Sequence, residues 1–236
     1  MKMAQKQFFL IIDTETTIKD TVADFGAIVV DRKGVIHKEC SVMVAGHFGT
    51  FDLFYDNSND SLWGRRGLEM RTANYMRMLE EGTRQMASVA AINRWLEKVA
   101  ALYPGIELTA YNLAFDAGKM ANTGIDVSMF PKRFCLWHKA FAMFAHTKKY
   151  REFILANHLF NPPTEKGNMS FKTNAEVMAS FLAGEMLPPE PHTAIEDAKF
   201  YELPILQAIV SKSKWREKSK AFNWREVQVK DWFAAK

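Results

Sequence analysis

Four carboxylates and one imidazole stand in the order Asp13, Glu15, Asp116, His192 and Asp197, each beside apolar residues that can hold it in place. Asp13 and Glu15 close the apolar run Phe8-Phe9-Leu10-Ile11-Ile12, which is too short for a helix and reads as a strand buried in the middle of a sheet. In an extended chain residues i and i+2 face the same side, so both carboxylates can point at one spot. Like charges that close raise each other's pKa unless a cation lies between them, which favours a metal site over a bare pair. Oxygen-only ligands suit Mg²⁺ or Mn²⁺. Taken alone, Asp13-Thr14 reads equally well as the opening of a turn.

Two further segments bear on that choice. Glu107-Leu108-Thr109-Ala110-Tyr111 reads as a strand and 117–121 as a helix, so Asp116 falls at a strand-to-helix junction, where open α/β sheets place their ligands. His192 and Asp197 lie five apart; a helix starting at Thr193 or Ala194 puts the histidine just before its first turn and the aspartate within it. Each also has a plain reading: His192, after Pro189 and Pro191, as a loop residue, and Glu196-Asp197 as an acidic helix start favoured by the dipole. Together the three segments suit a pair of divalent ions handling phosphate esters.

In order, these segments resemble the DnaQ-like exonuclease superfamily, in particular its DEDDh branch of 3′→5′ exonucleases. The first motif looks like Ile11-Ile12-Asp13-Thr14-Glu15-Thr16-Thr17, the second like Tyr111-Asn112-Leu113-Ala114-Phe115-Asp116, and the third like His192-Thr193-Ala194-Ile195-Glu196-Asp197-Ala198. The His192 to Asp197 spacing is similar to that of the histidine branch. Asp24 stands where the family more often has Glu. The resemblance spans about residues 8–206 and implies two-metal phosphodiester hydrolysis with two Mg²⁺ or Mn²⁺ ions. It implies Asp13 bridging both metals, Glu15 and Asp197 completing the site of the attacking water, Asp116 holding the second metal, and His192 as general base. It also implies Thr14 and Thr16 against the terminal nucleotide, Phe115 as a stacking or wedge residue, and a nucleoside 5′-monophosphate as product.

The positioning elements follow from pattern. Strands are predicted at 22–30 and 35–44 around a turn at Asp31-Arg32-Lys33-Gly34, with another near 133–136. Val89, Ile92, Leu96 and Val99 recur at helical spacing within 87–99, ending before Pro104-Gly105. Further helices are predicted at 137–144, 175–182 and 194–210, the last weakened or bent at Pro204. Three antiparallel strands followed by alternating helices and strands predict an α/β fold with a mixed five-stranded sheet flanked by helices, the ribonuclease H-like arrangement the resemblance also implies. Residues 46–82, with Phe48, Phe51, Phe54, Tyr55, Trp63 and Arg65-Arg66, and residues 150–186, with the loop 161–167, are atypical insertions in this domain of residues 1–210.

Composition narrows the class. The 236 residues are 48% hydrophobic, enough for one sizeable core. Cys40 and Cys135 do not make a disulfide framework or a zinc spacing and are expected reduced in a cytosolic protein. The N-terminus, with Lys2 and an apolar run ending at Asp13, predicts neither signal peptide nor membrane span. Residues 1–210 carry 23 basic against 24 acidic side chains, and residues 211–236 carry 8 against 3. In that extension Lys212, Lys214, Arg216, Lys218 and Lys220 alternate among Trp215, Phe222, Trp224 and Trp232. Cations with interleaved aromatics serve single-stranded nucleic acid; the same tryptophans can instead pack on the body. The expected partner is single-stranded nucleic acid, DNA before RNA, and a polymerase or other replication protein is a further candidate. RNA or short-oligonucleotide hydrolysis and an inactive binding module are the alternatives.

Overall fold

The computed structural model of the protein describes residues 6–54 and 62–229, with side chains from Arg66 onward in the second span. Tyr55, the side chains of Trp63 and Arg65, and Trp232 lie outside the described residues. Strands β1 (Phe8–Thr16), β2 (Val22–Asp31) and β3 (Ile36–Val44) are followed by α1 (Leu62–Glu80), β4 (Gln85–Ala87), α2 (Val89–Leu102), β5 (Glu107–Ala110) and α3 (Leu113–Thr123). Next come β6 (Arg133–Cys135), α4 (Leu136–Ala140) with a π-helical turn Phe141–Ala145, α5 (Lys148–Ala156) and α6 (Ala175–Ala183). The last long helix runs from α7 (Ala194–Asp197) through a π turn Ala198–Glu202 into α8 (Leu203–Val210).

The sheet order is β4, β3, β2, β1, β5, β6, with β2 antiparallel to both neighbours and the other pairs parallel. This is a mixed α/β sheet flanked by helices, broadly matching a Rossmann or ribonuclease H-like topology. It has six strands, not the five predicted. The extra strand, Gln85-Met86-Ala87, is only three residues long and largely exposed, so no apolar alternation marks it; backbone pairing to Val42, Met43 and Val44 makes it a strand. Helix α1 was also unassigned from sequence: of its described side chains only Tyr75 is fully buried, and no clean apolar stripe signals it.

β1 is central, and its apolar run is explained by cover on both faces. Phe9 and Ile11 join the core formed with α4, α6 and α8, while Leu10 and Ile12 join that formed with α2 and α3. The same alternation carries Asp13 and Glu15 to the α7 side of the sheet and Thr14 to the α3 side. Helix α2 buries Ile92, Leu96 and Val99, and the Ser88 hydroxyl caps it by accepting from the Ala91 N–H. Ahead of Pro204 the helix widens, with the Leu203 N–H bonded to the Ala198 carbonyl, an i to i−5 pattern that accommodates the missing proline donor. Among the described residues no helix is long and apolar enough to cross a membrane, and both cysteines are free.

Gly26 of β2 pairs with Asp13 and faces the start of α7. A Cβ there would lie 2.4 Å from Ala194 C and Ile195 N, so only glycine lets the backbone of α7 rest on the sheet beside Asp13. Gly26→Ala is expected to destabilise the fold by about 1–3 kcal/mol in chemical denaturation, the usual cost of overpacking, and to lower activity by displacing His192 and Asp197. An alanine variant as stable as the parent would show that α7 can move without cost.

Candidate metal centre

Three segments meet at the end of β1. Asp13 and Glu15 leave the strand on one side, and α7 approaches that side with His192 before its first residue and Asp197 within it. Thr14 points to the other side, where its hydroxyl donates a 2.8 Å hydrogen bond to Asp116 Oδ1 in the first turn of α3. Asp13, Glu15, His192 and Asp197 line a cavity of about 190 Å³ together with Glu190 and Glu202.

Ligand atoms of Glu15, His192 and Asp197 lie within 4.8 Å of one another, close enough for one divalent ion. His192 Nδ1 is 3.9 Å from Glu15 Oε1, and Arg71 Nη1 is 3.9 Å from Glu15 Oε2.

The histidine segment is over-determined. His192 has φ +54°, a left-handed conformation that costs a non-glycine residue about 1–3 kcal/mol. Around it, the Thr193 N–H donates to Asp197 Oδ2 at 3.1 Å and the Ala194 N–H to Asp24 Oδ2 at 3.0 Å. The Tyr75 hydroxyl stands 3.1 Å from Asp24 Oδ2 and 3.0 Å from the His192 carbonyl oxygen, and its proton serves this pair of acceptors. Asp24 is therefore a buried clamp on the start of α7. Arg84 balances the region through an ion pair with Glu196.

The site is a concentration of acid in a dry place. Burial pushes Asp13 well above the ordinary carboxylate range, and Glu202, Asp116, Glu15 and Asp197 add to the shift. Burial takes Glu15 up to about 8 against the pull of Arg71, Asp197 up to about 8 with help from Glu190 and Glu15, and Asp116 up to about 7 despite the Thr14 hydrogen bond. Glu190 rises to about 7 through burial and Glu176. Partial burial and Arg71 hold His192 below its usual value, partly opposed by Glu176.

In the cavity wall Asp197 Oδ1 and Glu202 Oε2 are buried with no hydrogen-bond partner among the described residues, as is Asp24 Oδ1 outside that wall. Unpartnered acceptors inside a cluster of mutually repelling acids fit a bound cation.

Glu202 and Glu190 were not among the sequence-predicted site residues. The signal for Glu202 was an acid inside the apolar stretch Tyr201-Glu202-Leu203-Pro204-Ile205-Leu206. The π turn Ala198–Glu202 carries it into the wall of the cavity that Asp197 lines, and its Oε1 accepts from the Tyr111 N–H at 2.9 Å.

The other predicted residues are placed as follows. Thr14 and Thr16 are buried, while Phe115 is exposed with the Lys119 ammonium 4.6 Å from its ring centre. Lys212, Lys214 and Lys218 are exposed. Arg216 makes a bidentate ion pair with Glu107 at 2.5 and 2.7 Å, and Lys220 pairs with Glu226 at 2.6 Å. Trp215 is buried edge-on against Phe9 and Phe134, and Phe222 stacks on Trp137, so this part of the extension packs on the body.

These acids bind protons more tightly in the folded chain than in the unfolded one, whose carboxylates titrate near pH ~4. The unfolded state thus holds fewer protons between that pH and the raised folded values, and stability falls as pH rises through the window. In a chelating buffer the melting temperature is expected to drop between about pH 5 and pH 8, and millimolar Mg²⁺ or Mn²⁺ to flatten the drop. A pH-independent melting temperature, unmoved by either ion, would contradict a cation-binding cluster.

No protein-family model matches the chain, and no characterised protein matches its sequence. The geometry alone establishes a mixed α/β fold with an acidic and histidine cluster, Glu15, His192 and Asp197, that could hold a divalent metal, consistent with a metal-binding α/β enzyme.

Proposed function

We propose that the protein is a metal-dependent 3′→5′ exonuclease that releases nucleoside 5′-monophosphates, with single-stranded DNA as its preferred substrate. The observation that carries this reading is the meeting of Asp13, Glu15, His192 and Asp197 around one cavity, with Asp116 tied beside them through Thr14. The motifs that suggested such a nuclease are thus the segments that supply these groups. Asp13, Glu15, Asp116 and Asp197 would hold two divalent ions, and Glu202 adds negative charge behind them. Bound Mg²⁺ or Mn²⁺ supplies stabilisation to both the attacking and the leaving oxygens of an in-line phosphodiester displacement.

His192 accepts the proton of the attacking water. Its lowered pKa leaves the ring unprotonated at neutral pH, and its exposed position gives it access to substrate and solvent. The strained backbone and the Tyr75 bond hold the imidazole at the cavity rim. Exposed Lys212, Lys214 and Lys218 favour a polyanionic substrate. One observation supports a second role for the histidine: its ring nitrogen and the Glu15 and Asp197 oxygens all lie within 4.8 Å of one another, close enough to share one ion.

Asp13→Asn is expected to abolish release of mononucleotides from a 3′-labelled single strand while leaving the chain folded, since it removes a ligand and a repulsive charge with little change of volume. Full activity in that variant would overturn the assigned site. His192→Ala is expected to lower the maximal rate by about 10²–10⁴-fold at neutral pH, with metal affinity little changed. A collapse of metal affinity would make His192 a ligand.

A further inference from the structure

Beside the acidic cavity lies a larger one of about 380 Å³, and the two share Tyr111 and Asn174 in their walls. Among the described residues the second cavity has no charged side chain in its lining; its walls include the rings of Tyr111, Trp137 and Phe222 and the amides of Asn112, Asn161 and Asn174. We propose that this neutral aromatic cavity is a base-binding subsite, holding one of the two nucleobases that flank the cleaved bond of a single strand. The proposal rests on the nuclease reading above.

The ring planes are set in advance. Tyr111 and Trp137 lie 25° from parallel at 6.3 Å, and Trp137 and Phe222 lie 25° from parallel at 4.7 Å. The Trp137 Nε1–H donates to Thr173 Oγ1 at 3.1 Å and the Tyr111 hydroxyl donates to the Thr173 carbonyl, so neither ring turns freely. All three rings are half-buried and offer a flat apolar surface, and stacking on such a surface suits any base.

The amides complete the fit. Asn112, with φ +74°, and Asn174 both occupy helix N-cap positions, yet neither side chain caps its helix. Each is left with a donor and an acceptor for the edge of a base. A phosphate would find no cation in this lining and a metal ion no carboxylate, whereas an uncharged aromatic heterocycle finds both a stacking face and hydrogen-bond partners. Because the cavities adjoin through Tyr111 and Asn174, a phosphate at the acids places one of its neighbouring bases here. Phe222 belongs to the extension 211–236, which in this way forms one wall of the subsite.

Short DNA strands, intact or lacking one base at each position near the 3′ end, test this with the full chain and Mn²⁺, reading kcat/KM by mononucleotide release. Removing one of the two bases beside the cleaved bond is expected to cost the wild-type protein about tenfold, equivalent to ~1.4 kcal/mol of stacking and pairing. Phe222→Leu, which keeps apolar bulk without a π face, and Asn174→Ala are expected to shrink that penalty to about threefold or less. An unchanged penalty in both variants, or a wild-type protein indifferent to base removal at both positions, would overturn the subsite while leaving the nuclease reading intact. If Phe222→Leu fails to fold, the exposed Asn174 decides. No hydrolysis of the intact strand would defeat the nuclease reading, and the subsite with it.

Discussion

The burial of several carboxylates in one place is the constraint around which this protein is arranged. Burying β1 on both faces delivers Asp13 and Glu15 to a place with little water, and α3 and the α7 helix bring Asp116, Asp197 and Glu202 to the same place. Asp197 Oδ1 and Glu202 Oε2 remain buried with no partner among the described residues. Without a cation, burial keeps protons on the acids up to about pH 7–8, and repulsion from neighbouring carboxylates adds to it at Glu15 and Asp197, as the raised pKa values of Glu15, Asp116 and Asp197 indicate. A divalent ion at Glu15, His192 and Asp197 would stabilise the ionised acids by charge instead.

The surrounding structure keeps the groups together against that repulsion. Gly26 permits backbone contact between the sheet and α7, Asp24 accepts the first free N–H of the helix, and Tyr75 reaches from α1 to the His192 carbonyl. Each of these holds the segment in which His192 adopts a left-handed backbone, a conformation that persists only when its neighbours enforce it. Helix α1 therefore has a physical task at the site.

Much of this was legible in the sequence because it depends on local pattern. The unbroken run Phe8 to Ile12 announces a strand covered on both faces, and the i, i+2 spacing of Asp13 and Glu15 follows from extended geometry. Helix α2 was equally plain from Ile92, Leu96 and Val99. What was not legible depends on tertiary pairing. β4 exists because three residues meet the edge of β3, and α1 buries too little of its surface to show a stripe. The part played by Glu202 depends on a π turn, whose five-residue repeat no helical periodicity analysis anticipates. Whether Trp215 stacked on nucleic acid or packed inward was open from composition, and burial against Phe9 and Phe134 answers it.

The account's central claim is that a divalent cation replaces protons on the cluster. The most direct measurement is the proton release that accompanies Mn²⁺ or Mg²⁺ binding, obtained by titration calorimetry in buffers of different ionisation enthalpy. At about pH 7, near the raised values of Glu15, Asp116 and Asp197, binding is expected to expel protons, and the part of the release that comes from these three acids to fade by about pH 9, where they are already ionised. Metal binding that releases no protons at pH ~7, or no binding at all, would contradict the account.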